Sequence, residues 1–187
     1  MVAPAHHRFT FDDYLGIEED SVIRHEFLDG RIWAMAGGSP EHAAICANLV
    51  MLLGNALANR RARVFTTDLR IRIRATGLAT YPDVSVICDR PELDPSDPKG
   101  HTAVNPKLLV EVLSPSTQDY DCGEKLEHYQ QIPSLDEVVL VHSESRKVTV
   151  WRRTGTSWRA TDHREGILSL ALGCELPIDA IYRDPLA

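Results

Sequence analysis

The clearest pattern along the chain is an apolar run over residues 108–113, which only Glu111 interrupts. A short run of this kind, rich in Val and Leu, predicts a strand that is buried on both faces. Residues 81–88 form a second apolar run, with Asp83 near its beginning. Burying an isolated carboxylate costs on the order of several kcal/mol. We therefore expect a metal ion or a Lys or Arg side chain beside Glu111.

Two elements with well-defined ends are predicted before these strands. The alternating residues 25–35 enclose Asp29 and Gly30, a strong two-residue turn signal, and predict a β-hairpin. Ser39 and Pro40 are typical of a helix N-cap and of the first helical position, and apolar residues then recur at helical spacing. Thr10 is suited to cap a short helix before the hairpin.

The second half of the chain predicts a crossover between parallel strands. A helix over about residues 119–131 follows the 108–113 strand, and residues 138–141 are apolar enough to form the next strand. Further strands at 147–151, 158–160 and 167–170 and a helical turn at 177–182 complete a mixed α/β domain. Residues 1–9 are expected to be disordered, and residues 10–187 to form a single domain.

Composition narrows the class of protein. The net charge of −7 disfavours a protein that coats nucleic acid, so any nucleic-acid contact is expected to use a local basic patch. Cys46, Cys88, Cys122 and Cys174 include no Cys-x-x-Cys pair, which favours reduced thiols in a cytoplasmic protein. No apolar run approaches the roughly 20 residues of a membrane helix, so no membrane partner is expected.

Asp83 and Glu111 are the first candidates for chemistry. If their strands are neighbours, the two carboxylates can bind Mg²⁺, which prefers a few carboxylates together with water. The backbone carbonyl of Val112 is a candidate third ligand. Phosphodiester hydrolysis needs such an ion to activate water and stabilise charge on phosphate. In the alternative, Asp83 caps a turn after Pro82, and Glu111 pairs with a Lys or Arg.

Four more side chains have both a functional and a structural interpretation. Asp121 and Lys125 are four residues apart, which is typical of a stabilising helix pair but could also bring Lys125 over the carboxylates. Glu26 on the hairpin is either an outward-facing charge or a third acid near the metal. His42 is either a surface residue of a first helical turn or a site residue that approaches from the helix N-terminus.

Three arginines form a candidate contact surface. Arg70, Arg72 and Arg74 alternate with apolar residues over 69–74, which predicts a strand with one core face and one row of guanidinium groups. This row is either a solvated sheet face or a stripe that contacts phosphate.

Several of these motifs occur together in a known family. They are FDDY at 11–14, HEFLDG at 25–30, His42, PDVSV at 82–86, LVEVLSPST at 109–117, and then Asp121, Lys125 and Tyr129. The chain resembles the Uma2 family, also known as DUF820, of restriction-endonuclease-like proteins with the PD-(D/E)XK nuclease fold. The resemblance covers most of the chain. It implies a restriction endonuclease-like α/β fold, with a mixed central β-sheet of four strands flanked by helices.

The resemblance also implies roles for individual residues. Asp83 and Glu111 are the expected metal-binding acids, with Mg²⁺ or Mn²⁺ as cofactor. The wider nuclease pattern has a Lys two residues after the Glu, where this chain has Leu113, and the family implies that Lys125 replaces it. We therefore expect an endonuclease that hydrolyses DNA, with Glu26, His42 and Asp121 as accessory residues.

A function from another class is compatible with the same residues. The acidic net charge and the absent Lys at position 113 favour a nucleic-acid-binding or regulatory module that keeps the nuclease fold without turnover. The sequence does not decide the oligomeric state, for which a homodimer is one candidate.

Overall fold

The protein was studied as a computed structural model, in which residues 8–184 are described. It is a mixed α/β protein with a six-stranded and a five-stranded sheet and a small pair of strands. Residues 1–7 of the segment expected to be disordered lie outside the described residues. Among the described residues, no helix is long and apolar enough to cross a membrane. The helices are α1 (Phe11–Asp20), α2 (Pro40–Ala56), α3 (Gln118–Cys122), α4 (Glu124–Tyr129) and α5 (Ile178–Ile181). The strands are β1 (His25–Leu28), β2 (Arg31–Ala34), β3 (Ala62–Thr66), β4 (Arg70–Arg72), β5 (Ala79–Thr80), β6 (Val84–Cys88), β7 (Thr102–Ala103), β8 (Leu108–Leu113), β9 (Glu137–His142), β10 (Val148–Thr154), β11 (Ser157–His163), β12 (Ile167–Ser169) and β13 (Glu175–Pro177).

The six-stranded sheet carries the predicted central strand. Its order is β11-β10-β9-β8-β6-β3, and β8 lies parallel to β9 and antiparallel to β6. The predicted crossover between parallel strands is therefore confirmed, and every residue of β8 is buried. The expectation of four central strands is wrong, because β10 and β11 continue the sheet as antiparallel strands beyond β9.

The two faces of β8 belong to different cores. Val110 and Val112 pack in the core under α2, whereas Leu109 and Leu113 pack in the core under α4. Because side chains alternate along a strand, Glu111 points to the α4 side. This alternation turns the buried carboxylate toward the helix that carries Lys125.

The five-stranded sheet includes the predicted hairpin. Its order is β2-β1-β5-β4-β7. The predicted turn is confirmed: Asp29 and Gly30 both have positive φ angles, 50° and 76°, a conformation that suits a two-residue hairpin turn. Across the hairpin Glu26 is paired with Trp33, so the two residues lie side by side.

Helix α2 lies against the six-stranded sheet and begins as predicted. Ser39 accepts a hydrogen bond from the backbone N–H of His42, and Pro40 occupies the first turn. Ile45, Leu49 and Leu53 are its buried residues. Burying one such side chain contributes about 1.5–3 kcal/mol, so this face fixes the helix on the sheet.

The helix expected over about 119–131 is interrupted, which corrects that prediction. Gly123 separates α3 from α4 and has φ −106° and ψ −105°, outside the helical region. A Cβ atom at this position would lie 2.8 Å from the carbonyl oxygen of Asp119. The close approach of the two backbone segments therefore requires glycine, and Lys125 lies in the first turn of α4.

All three arginines of the row lie near acids, and only Arg74, whose side chain is 53% exposed, keeps a large solvent-facing surface. The Arg70 side chain is only 5% exposed, lies 3.6 Å from Asp97, and its guanidinium group sits over the Tyr14 and Tyr81 rings. Arg72 and Arg74 lie 3.5 and 3.9 Å from Asp94. A fully solvated face is thus the wrong interpretation, because the segment 89–105 folds back and supplies these acids.

Candidate active site

The ammonium group of one buried lysine contacts three carboxylates. The Lys125 Nζ atom lies 3.0 Å from Glu111 Oε1, 3.2 Å from Glu26 Oε1 and 3.3 Å from Asp121 Oδ1. The Lys125 side chain is 4% exposed. The interpretations of Glu26 as an outward-facing charge and of Lys125 as a surface partner of Asp121 are therefore wrong.

Two neutral hydroxyl groups donate hydrogen bonds to acids of this cluster. The Tyr129 hydroxyl, one turn after Lys125 on α4, donates to Glu111 Oε1. The Thr80 hydroxyl on β5 donates to Glu26 Oε1. Strands of both sheets and α4 thus converge on one cluster, which explains how residues from distant parts of the chain meet.

The cluster carries more negative than positive charge, and its pKa values reflect this. Burial, together with Asp121 and Asp83, raises the pKa of Glu111 to about 8, although Lys125 and Tyr129 oppose the shift. Burial alone would lower the pKa of Lys125, but the attraction of Glu111, Glu26 and Asp121 raises it well above its ordinary value. Lys125 therefore stays an ammonium ion, and the surplus negative charge favours a further cation.

Asp83 lies immediately before β6, the strand next to β8, and its carboxylate has contacts on two sides. Its Oδ2 atom accepts a hydrogen bond from the Val112 backbone N–H at 2.8 Å and lies 3.3 Å from His42 Nε2. The hydrogen bond to Asp83 raises the pKa of His42, against the effect of burial. The interpretation of His42 as a surface residue is therefore wrong, because its side chain is only 18% exposed and contacts Asp83. The Val112 carbonyl as a metal ligand stays a prediction, since the contact between Val112 and Asp83 uses the backbone N–H.

The predicted acids, Lys125 and His42 share one cavity of about 250 Å³. None of the three arginines is among the residues that line it. The residues predicted as catalytic, accessory or metal-binding are all among those that line it: Glu26, His42, Asp83, Glu111, Val112, Asp121 and Lys125.

Sequence reasoning missed three residues of this region. Trp33 and Tyr120 line the cavity with their rings in an edge-to-face arrangement, 6.4 Å between centroids. The Cys46 thiol lies 3.6 Å from His42 Nδ1. The available signals were the cross-strand position of Trp33 opposite Glu26, and the spacing of four residues between His42 and Cys46 on α2.

The donor set fits a hard divalent cation. Carboxylate oxygens are the ligands that Mg²⁺ prefers, and Asp83 and Glu111 line a cavity that leaves room for water. The contacts described above use one oxygen of each acid, Oδ2 of Asp83 and Oε1 of Glu111. Asp83 and Glu111 are therefore the residues that could hold the ion.

Comparisons with known proteins show which family and which proteins this chain resembles. The model of the Uma2 family, described as "Putative restriction endonuclease", matches residues 11–179. "Uncharacterized protein slr1290" of Synechocystis sp. is 36% identical over 179 residues, covering 92% of this chain and 90% of the relative. "Uncharacterized protein sll1609" of the same organism is 32% identical over 163 residues, covering 87% and 91%.

A solved structure has the same fold. The crystal structure of "a putative nuclease belonging to DUF820" from Anabaena variabilis matches with a TM-score of 0.75 over 93% of this chain and 97% of that chain, at 19% identity. The fold is that of a mixed α/β protein of the restriction-endonuclease-like class. Within that class, the chain belongs to the Uma2 family.

Proposed function

We propose that this protein is a divalent-metal-dependent endonuclease that hydrolyses phosphodiester bonds in DNA, with Mg²⁺ or Mn²⁺ as cofactor. The observation that carries the proposal is the buried Lys125 ammonium group, 3.0 Å from Glu111 in a cavity that Asp83 also lines. A structural salt bridge alone does not need an adjoining open cavity with a further acid.

Each residue of the cluster has a distinct task in this proposal. Asp83 and Glu111 hold the cation, with the Val112 carbonyl as candidate third ligand. A bound cation would activate water and stabilise negative charge on the scissile phosphate. Lys125 orients the attacking water or stabilises the charge that develops on phosphate, as a preorganised donor in a site shielded from solvent.

The accessory residues act by positioning. Glu26 and Asp121 hold the Lys125 ammonium group from two sides, at 3.2 and 3.3 Å. His42 contacts Asp83 and thereby orients its carboxylate. Their substitution is expected to lower the rate less than substitution of the residues that they orient.

Contacts to DNA outside the cavity are also part of the proposal. The Arg74 side chain is 53% exposed, whereas Arg70 is buried, so Arg74 is the member of the row best placed to reach a backbone phosphate. A cytoplasmic location is supported by the four free cysteines. A homodimer stays a prediction.

Plasmid nicking tests the proposal. The purified protein with Mg²⁺ or Mn²⁺ is expected to convert supercoiled plasmid to open circles, and E111Q and D83N to lose this activity. E144Q changes an exposed acid in the turn after β9 and is the matched control. If the wild-type protein binds DNA but never cleaves it in the presence of either ion, the non-catalytic module is the better account.

A further inference from the structure

Two side chains of α2, His42 and Cys46, lie close to the Asp83 carboxylate. His42 Nε2 lies 3.3 Å from Asp83 Oδ2, and the Cys46 Sγ atom lies 3.6 Å from His42 Nδ1. An imidazole, a thiol and a carboxylate therefore converge, and one ligand atom from each lies within 4.8 Å of the others.

We propose that His42, Cys46 and Asp83 form a binding site for a borderline transition-metal ion, with Zn²⁺ as the principal candidate. This position is separate from the carboxylate position between Asp83 and Glu111, which suits Mg²⁺ or Mn²⁺. Zn²⁺ binding at this site does not require nuclease activity, so this proposal can be tested separately from the proposed function.

The chemistry of the three donors selects the metal. Zn²⁺ binds Cys sulfur at about 2.3 Å and His nitrogen or carboxylate oxygen at about 2.0–2.2 Å in tetrahedral sites, which places the ligand atoms roughly 3.3–3.7 Å apart. The distances of 3.3 and 3.6 Å among the three side chains fall in this range. Mg²⁺ prefers oxygen ligands and gains little from a thiol.

Binding requires a small adjustment of the imidazole ring. The two short distances involve different ring nitrogens, and a single ion needs one nitrogen that faces both other ligands. Drawing atoms that already lie within 4.8 Å of one another to tetrahedral spacing takes a shift of about 1 Å. Coordination of the sulfur releases the thiol proton to solvent.

The local structure holds the donors in place. His42 and Cys46 lie one helical turn apart on the same face of α2, and the Val112 N–H fixes Asp83. Gly38 lies against the imidazole so closely that a Cβ atom there would be 2.6 Å from His42 Nδ1. The cavity next to Asp83 leaves the fourth tetrahedral position open to water, as in sites with three protein ligands.

Cobalt spectroscopy tests the site in the full chain without DNA. Co²⁺ stands in for Zn²⁺ and produces a sulfur-to-cobalt charge-transfer band in the near ultraviolet only if a thiolate binds it. We expect this band in the wild-type protein and in C122S, which removes an exposed thiol, but not in C46S. Zn²⁺ added afterwards is expected to abolish the band by displacing Co²⁺.

Calorimetry measures how much the loss of Cys46 weakens Zn²⁺ binding. Loss of a partner that only orients a ligand costs about 10–100-fold in metal affinity, so C46S is expected to weaken Zn²⁺ binding at least to that extent. Mn²⁺ binding is expected to be equal in C46S and wild type. In the unaltered chain, Zn²⁺ should protect Cys46 but not Cys122 from alkylation, which requires no variant to fold.

Any of three results would overturn the proposal. They are a wild-type protein without the charge-transfer band, a C46S protein that keeps it, and alkylation of Cys46 at the same rate with and without Zn²⁺. Zn²⁺ binding without plasmid cleavage would refute the proposed nuclease function and support this site. Plasmid cleavage without Zn²⁺ binding would refute this site and support the nuclease function.

Discussion

The Lys125 Nζ atom lies 3.0 Å from Glu111 Oε1, and both side chains are almost completely buried. The wider nuclease pattern brings a lysine to this acid from the same strand, two residues later, where the present chain has Leu113. Here the lysine comes from α4, beyond the α3–α4 break, and reaches the same carboxylate. A lysine therefore contacts this acid although position 113, where the wider nuclease pattern implied by the resemblance has a lysine, is Leu113.

Replacing Lys125 by Met should affect both stability and activity. Removing one partner of a buried ion pair costs about 3–5 kcal/mol, compared with about 0.2–0.5 kcal/mol for an exposed helix pair. Loss of a preorganised donor should lower the cleavage rate by about 10²–10³. Urea unfolding and plasmid nicking measure the two effects. A change in unfolding free energy below about 0.5 kcal/mol would contradict the role of Lys125 as the counter-ion of the cluster.

Gly123→Ala should displace Lys125 although the substitution leaves the lysine side chain itself unchanged. The added Cβ would lie 2.8 Å from the Asp119 carbonyl oxygen, so the break between α3 and α4 must change and Lys125 must move. We expect lower stability and slower cleavage. Gly54→Ala in α2 is the matched control, because no atom lies within 4 Å of its added Cβ, and it should stabilise by about 0.5–1 kcal/mol. Equal effects of the two changes on thermal unfolding would refute this explanation.

Metal affinity should rise with pH because of Glu111. Its pKa in the folded protein is about 8, so below that pH a cation must displace a proton. The apparent Mn²⁺ affinity should increase by up to about tenfold per pH unit and level off above pH 8. Calorimetry in a pH series measures this, and a flat profile from pH 6 to about 8 would contradict the shifted pKa.

The same shift gives stability a defined pH dependence. Between the ordinary pKa of 4.5 and about 8, folded Glu111 keeps a proton that the unfolded chain has lost. The unfolded state therefore binds fewer protons, and this group's contribution to stability falls as pH rises through that window. Glu111→Gln removes the contribution, so its unfolding free energy should decline less over the window than that of the wild type. If the unfolding free energies of the wild type and of Glu111→Gln, measured with urea, change in parallel with pH, this contribution of Glu111 is refuted.

The arginines should separate into two classes. Arg70→Ala removes a buried cation from Asp97 and should destabilise by about 3–5 kcal/mol. Arg74→Ala should leave stability nearly unchanged but weaken DNA binding and flatten its salt dependence, because fewer counterions are released. Binding titrations at several salt concentrations measure the slope. If the dependence of log K on log salt concentration has the same slope in Arg74→Ala as in the wild type, the three arginines do not contribute to DNA binding.

Local signals predicted the parts of the fold that local interactions determine. The Ser39 cap, the Asp29-Gly30 turn and the apolar run that makes β8 fully buried were all correctly predicted. The contact of Lys125 with Glu111 was one of two interpretations left open by the residues, and the structure supports it because the crossover helix packs back on the strand before it.

What the sequence did not predict depends on distant contacts. The break at Gly123 comes from the approach of the Asp119 carbonyl, and the burial of Arg70 from a segment that supplies Asp97. Trp33 reaches the cavity because the hairpin pairs it with Glu26 and joins the second sheet. No periodicity along the chain encodes these approaches.

Anomalous diffraction from a crystal soaked with Mn²⁺ tests the central claim most directly, since it locates the ion without reference to activity. The account predicts an anomalous peak between the carboxylates of Asp83 and Glu111, in the cavity beside Lys125, and its loss in D83N crystals. Wild-type crystals with no peak in this cavity, or with a peak that persists unchanged in D83N, would contradict it.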